Sequence, residues 1–346
     1  MEKNLNFNRT LVAMAALVIV FAGLKLAAEI VVPFLLALFI AIICSPVIKV
    51  MTQRKVPHGI AIALLFILIL IVFFFLAGLI NSSVQEFTRS IPQYKVLLSE
   101  RINEATALAQ KLKLPIVISH EAIMKHFDPS VIMNFVSRLL LNFSGVLSNA
   151  FVLILVVTFM LFEAPTMKHK FALVLSNNED DVVAKEHHID RVLDSVIRYL
   201  GVKTFISLLS GISTWILLDV LDVQYAILWG TLTFLLNYIP NIGSIIAAVP
   251  VIVQALLLNG FGVAIGVTAG IIALNIAFGN IIEPKMMGKT LGLSTLVVFF
   301  SLLFWGWMFG TVGMLLSVPL TMALKITLDS SESTKKYAAL LADVNE

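Results

Sequence analysis

Asn237-Tyr238-Ile239-Pro240-Asn241-Ile242-Gly243-Ser244 lies in the middle of a run from Ala226 to Leu258 that carries no charge. The run is too long for one comfortable membrane crossing of ~20 residues and short of the ~40 that two crossings need. Pro240 removes a backbone donor and Gly243 permits a sharp bend. Asn237 and Asn241 carry amides that can satisfy freed backbone groups or bind a solute. A polar break at membrane depth is tolerated only inside protein or facing a water-filled cavity. The stretch therefore predicts two short helices joined at a re-entrant break.

A second uncharged run extends from Leu291 to Leu324 and is interrupted at Trp305-Gly306-Trp307-Met308-Phe309-Gly310. Paired, interrupted apolar segments point to the central site of a transporter. Pro-Gly breaks that serve packing alone are the competing reading.

Composition sets the solvent. Hydrophobic residues make up 59% of the chain and charged residues 13%, and the mean hydropathy is +0.99. No water-soluble core needs that much apolar surface, so the fold class is all-α and polytopic in the membrane. The net charge of +3 comes without a basic stripe interleaved with aromatics, so nucleic acid is excluded as a partner. The lipid bilayer is the expected partner instead. Cys44, the sole cysteine, leaves no intrachain disulfide and reads as packing. The first apolar run has no small-residue cleavage site and reads as a span.

Taken in order, residues 1–80 hold spans 1–3: Leu11–Ala28, Ile30–Val47 and Ile60–Ile80. Lys25 can snorkel or pair with Glu29. Lys49, Arg54 and Lys55 stand together without an acid, which places that loop and the N-terminus in the cytoplasm. Residues 81–144 form the one sizeable polar insertion. Val84, Phe87, Ile91, Tyr94, Leu98, Ile102, Ala105, Leu108 and Leu112 trace an amphipathic stripe there. Asp128-Pro129 reads as the opening of a further helix. A small extracytoplasmic helical segment is expected.

The fourth span occupies 145–163, and a cytoplasmic amphipathic segment 164–199 follows, with Val182–Tyr199 along the membrane surface. Within it, His187-His188 points to two helix faces and has no completing ligands, so no metal is expected. Residues 200–328 form the transport core with both broken runs, and 329–346 the cytoplasmic tail. Asp219 and Asp222 sit in a loop without Lys or Arg, whereas Lys285, Lys289, Lys325, Lys335 and Lys336 mark cytoplasmic ends. The two broken runs then open from opposite faces, as in an inverted repeat. Charge alone does not separate re-entrant hairpins from thin full crossings.

The candidate chemistry is mostly neutral. No Walker A, zincin or nucleophile-elbow motif is present, so no catalytic residue, cofactor or ATP motor is expected. The candidate pathway residues are Asn237, Tyr238, Asn241, Ser244, Asn275, Asn280 and Thr311, with Gln254, Ser294 and Thr295 adding further polar groups. This set suits a small, neutral, hydroxyl-rich solute, since a cation site ordinarily wants a buried carboxylate. Glu283 is the one nearby carboxylate, in Glu283-Pro284-Lys285. Three roles stay open for it: pairing with Lys285, an interhelical clamp, or proton coupling. Pro240, Gly243, Pro284, Gly306 and Gly310 shape the backbone. Trp305 and Trp307 read either as an interfacial tip or as a sugar-like binding surface. Asn237 and Tyr238 have a plainer alternative role as caps of the broken helix.

Three stretches carry a resemblance: Asn237 to Gly243, Gly279-Asn280-Ile281-Ile282-Glu283-Pro284-Lys285, and Leu291-Gly292-Leu293-Ser294-Thr295-Leu296-Val297-Val298. With Ala27-Ala28-Glu29-Ile30-Val31-Val32-Pro33-Phe34 and Ser317-Val318-Pro319-Leu320, the chain resembles the autoinducer-2 exporter family, also called PerM-like permeases, over almost its whole length. The resemblance implies a multi-pass protein of the bacterial inner membrane that exports autoinducer-2 and so affects biofilm behaviour. It also implies a homo-oligomer, a pentamer in count, with the broken helices moving past a fixed scaffold. Some relatives look like sodium or lithium/proton antiporters, which keeps an ion-coupled alternative open. A membrane scaffold whose outer helical segment binds a partner is a third reading.

Overall fold

The computed structural model describes residues 2–111, 131, 134, 138, 150–176, 179–240, 242–287, 292–329 and 334–342. The Asp128-Pro129 helix opening, the start of the fourth span and Asn241 lie outside the described residues. Among those described, every regular element is a helix. The order is α1 Glu2–Leu26, α2 Ala28–Gln53, α3 His58–Lys111, α4 Ala150–Leu175, α5 Glu179–Val220, α6 Ala226–Leu236, α7 Gly243–Asn259 and α8 Phe261–Asn275. A π-helical segment, Ile276–Ile282, leads into α9 Glu283–Met287, followed by α10 Thr295–Asp329 and α11 Lys335–Leu341. Six helical stretches are long and apolar enough to cross a membrane. The protein is thus an all-helical, multi-pass membrane protein.

Two elements are longer than the sequence predicts. The third span and the amphipathic stripe are one helix of 54 residues. The expected surface helix Val182–Tyr199 and the fifth span are likewise one helix of 42 residues. Only Gly201 stands between the two halves of α5, and a lone glycine costs about 1 kcal/mol in a helix interior without breaking it. A change of solvent along a helix changes its pattern, not its hydrogen bonding.

The chain divides into two compact units. The first comprises Met1–Phe66, Phe151–Gly201 and Lys289–Glu346, and the second Ile67–Ala150 and Val202–Gly288. In the first, α10 packs on α1, α2 and α11. Phe21 meets Phe304 edge-on at 5.1 Å. Lys25 lies over the Trp307 ring at 3.5 Å rather than turning to Glu29. α4 and α5 are joined at Lys168 and Asp190, 2.6 Å apart. Gly310 breaks α10 with φ 64° and ψ −145°.

In the second unit, α7 and α8 form a hairpin at Gly260, where φ is 88°. α5 and α6 touch through glycine. A Cβ on Gly211 lies 2.8 Å from the Gly230 carbonyl oxygen, and one on Gly230 lies 2.8 Å from that of Gly211. Such small-residue contacts let backbones approach where no hydrophobic force distinguishes protein from lipid. Trp229, fully buried, donates its indole N–H to Gln254 at 2.9 Å. Gln254 in turn donates to the Gln224 carbonyl at 3.0 Å. Arg101 of α3 donates to the Leu257 carbonyl at 3.2 Å and so caps the end of α7, where unpaired carbonyls favour a cation.

Candidate functional site

The first break separates α6 from α7 at residues 237–242. Two pieces of local chemistry make it. Pro240 has no N–H to extend the helix, and its carbonyl instead accepts from Ile242 N at 2.6 Å. Gly243 then opens α7 with no side chain, and a Cβ there stands 1.8 Å from the Leu236 carbonyl oxygen.

What holds the break is a polar stripe on α5. Lys203, Ser207, Ser210 and Thr214 follow a spacing of four, three and four, which keeps them on one helix face. All four are buried, at 4, 0, 8 and 4% exposed. The Asn237 amide donates to the Ser207 hydroxyl at 3.0 Å. The Tyr238 hydroxyl donates to Thr204 at 2.8 Å. At the head of the stripe the Lys203 ammonium meets the Glu283 carboxylate at 2.6 Å. Lys203 and Glu283 are 80 residues apart, so this pair ties α5 to the helix that follows the π-helical segment.

Beyond Ser207 the stripe faces a small chamber of about 10 Å³, lined by Ser210, Thr214, Thr233, Ser244 and Asn275 with Ala247, Ala248, Ile271 and Leu274. A much larger cavity, about 430 Å³, lies between α3, α5 and α6 against Phe75, Leu208, Trp215 and Phe234. Its one hydroxyl, Thr231, is already bonded to the Ile227 carbonyl at 2.8 Å, so it offers a hydrocarbon wall and nothing to recognise a hydroxylated solute.

The predicted site residues therefore separate. Asn237 and Glu283 meet the α5 stripe, Tyr238 bonds Thr204 beside it, and Ser244 and Asn275 share the chamber. Asn280 is exposed on the π-helical segment, and Pro284 and Lys285 are exposed on α9. Glu283 takes Lys203 rather than Lys285 as its partner. Thr311, Gly306 and Gly310 belong to the other unit. There Trp305 donates to Thr321 at 3.0 Å and stacks on Phe309 at 5.8 Å. Trp307 is 59% exposed. Among the described residues no cluster of metal-binding side chains occurs.

The sequence reading overlooked the stripe itself. Lys203 is the sole cation between Gly201 and Leu218, and an ionisable residue inside a span marks function by default. That signal, with hydroxyls at helical spacing behind it, was available.

A neutral, hydrogen-bonded cradle thus lies at the broken helix, with an ion pair at one end. A family profile described as AI-2E family transporter matches residues 14–333. The chain belongs to the AI-2E family of transporters. It is 69% identical over 346 residues to a putative transport protein of Haemophilus influenzae, covering 100% of this chain and 99% of that one. It is 42% identical over 342 residues to the AI-2 transport protein TqsA of Escherichia coli, covering 99% and 98%. The putative transport protein YhhT of E. coli is 38% identical over 331 residues, covering 96% and 93%. As an AI-2E transporter the chain is a membrane carrier, and the names of these relatives point away from an enzyme.

Proposed function

We propose that this AI-2E transporter exports autoinducer-2 from the cytoplasm as a secondary carrier. The observation that carries the reading is the neutral, hydrogen-bonding surface at the first break, where Asn237 and Tyr238 meet the hydroxyls of α5. The likeness to TqsA, an AI-2 transport protein, supports the choice of solute. Neutral amides and hydroxyls recognise a small hydroxylated solute by hydrogen bonds that both donate and accept. The solute displaces Asn237 from Ser207 as it passes, and the two small side chains reclose behind it. The termini are cytoplasmic, the membrane is the bacterial inner membrane, and the assembly is a homo-oligomer, a pentamer by family resemblance.

Efflux of labelled autoinducer-2 from liposomes containing the purified protein tests this. Wild type is expected to exceed empty liposomes, and Asn237→Ala/Asn241→Ala to fall several-fold below wild type. Efflux equal to that of empty liposomes sinks the export reading.

One observation favours a second reading. The buried Lys203–Glu283 pair is the kind of intramembrane charge that couples ions in carriers. A sodium or lithium/proton exchange through Glu283 requires that Glu283→Gln abolish exchange in the same liposomes under an imposed gradient. Retained exchange excludes it.

A further inference from the structure

The chamber beyond Ser207 has a feature that the break does not need. Ser210 and Thr214 are 8% and 4% exposed, and both line the chamber. Other helical hydroxyls bond back to the preceding turn, as Thr268 does to Ala264 at 2.7 Å and Ser317 does to Met314 at 2.8 Å. Ser210 and Thr214 instead turn to the chamber. A hydroxyl that opens onto so small a chamber is satisfied by whatever group occupies it.

Size and chemistry narrow what that partner is. The cavity, about 10 Å³, admits one water-sized group and no more. No carboxylate lines it, and Ser244 lies in the first turn of α7, where free N–H groups repel a cation. An apolar group leaves both hydroxyls unpaired, which costs more than it gains. A hydroxyl fits, because it accepts from one side chain and donates to the other. Ser210 lies one turn, roughly 4.5 Å, along α5 from Ser207, the residue that holds the break shut. The stripe thus runs on from the break to the chamber without leaving its helix face.

We infer that the Ser210–Thr214 chamber is a subsite that docks one hydroxyl of the transported neutral solute, with Thr233, Ser244 and Asn275 closing around it. This rests on the reading of the protein as a carrier of hydroxylated solutes. Water shares the same chemistry and is the competing occupant.

The test measures the concentration dependence of efflux from proteoliposomes for two probes, autoinducer-2 and ribitol, a neutral linear polyol. The proteins are wild type, Ser210→Ala, Thr214→Val and Thr214→Ser. The expected result is that Thr214→Val and Ser210→Ala raise the half-saturating concentration about tenfold, the effect of one lost hydrogen bond. The maximal rate stays within about twofold, and Thr214→Ser behaves as wild type. The thermal midpoint in detergent reports folding separately. Unchanged half-saturation with a shifted midpoint means that the hydroxyls serve a resident water, and overturns the subsite. If ribitol alone is carried and Thr214→Val weakens it, the choice of autoinducer-2 fails and the subsite stands. If wild type carries neither probe, the subsite is overturned along with the export reading.

Discussion

Lys203 is the residue on which most of the site's energetics depend. Its ammonium is buried in α5 and is neutralised by Glu283, 2.6 Å away. Taking one charge from such a pair strands the other, at a cost of roughly 3–5 kcal/mol, whereas replacing both by shape-matched neutral groups is often nearly free. Lys203→Met and Glu283→Gln are each expected to lower the thermal midpoint in detergent by several degrees. The double variant is expected to recover most of that loss. Equal losses that simply add refute a coupled pair. The residue scale is also where the sequence was least legible. Asn237, Tyr238 and Glu283 stood out because polar residues are rare in apolar runs, yet their partners on α5 did not. A spacing rule finds a stripe, but only tertiary packing shows that it faces the break. Asn280 and Lys285 carry the same residue-type signal as Asn237 and Glu283 and turn outward.

At the scale of elements, the two broken runs share one device. Gly243 stands where a Cβ lies 1.8 Å from the Leu236 carbonyl oxygen, and Gly313 where a Cβ lies 1.9 Å from that of Trp305. In each case the residue four positions earlier is the next neighbour, the Cβ of Ile239 at 3.2 Å and of Phe309 at 2.9 Å. The second helix of each run also carries a Val-Pro pair, Val249-Pro250 and Val318-Pro319. A methyl cannot enter at 1.8 Å without moving backbone, so Gly243→Ala and Gly313→Ala are both expected to reduce folded yield sharply. Gly279→Ala, with open space around its Cβ position, is the matched control and is expected to leave yield unchanged. Gly310 differs in kind. Its φ of 64° with ψ of −145° is a glycine-only conformation, so Gly310→Ala is expected to cost about 1–3 kcal/mol of strain, read as a lower thermal midpoint. Both breaks were legible, because Pro-Gly chemistry inside an uncharged run is a local signal. The π-helical segment Ile276–Ile282 was not, since a widened turn has no residue signature of its own. The fused helices α3 and α5 were missed for the opposite reason: their patterning changes while the helix continues.

For the whole molecule, sidedness is the property that charge governs. Lys49, Arg54 and Lys55 follow the second span, Lys168 and Lys170 the fourth, and Lys335 and Lys336 the last, while the end of α5 and the turn to α6 hold Asp219 and Asp222 without a cation. The positive-inside rule counts lysine and arginine in short loops near span ends, and all of these loops qualify. By that rule the α2–α3 turn is expected on the cytoplasmic side and the α5–α6 turn on the opposite one. The α6–α7 hairpin is then expected to leave from the Asp222 side and return to it at Gly260. Cys44 is the sole cysteine, so a Cys44→Ser background permits single-site labelling. Arg54→Cys, Gln224→Cys and Tyr337→Cys all lie at exposed positions. In intact spheroplasts a membrane-impermeant maleimide is expected to label Gln224→Cys alone, and in inside-out vesicles Arg54→Cys and Tyr337→Cys. Labelling of Arg54→Cys and Gln224→Cys from the same side contradicts the sidedness read from charge. The reversed pattern keeps the fold and inverts the protein in the membrane, which turns an exporter's inner opening outward.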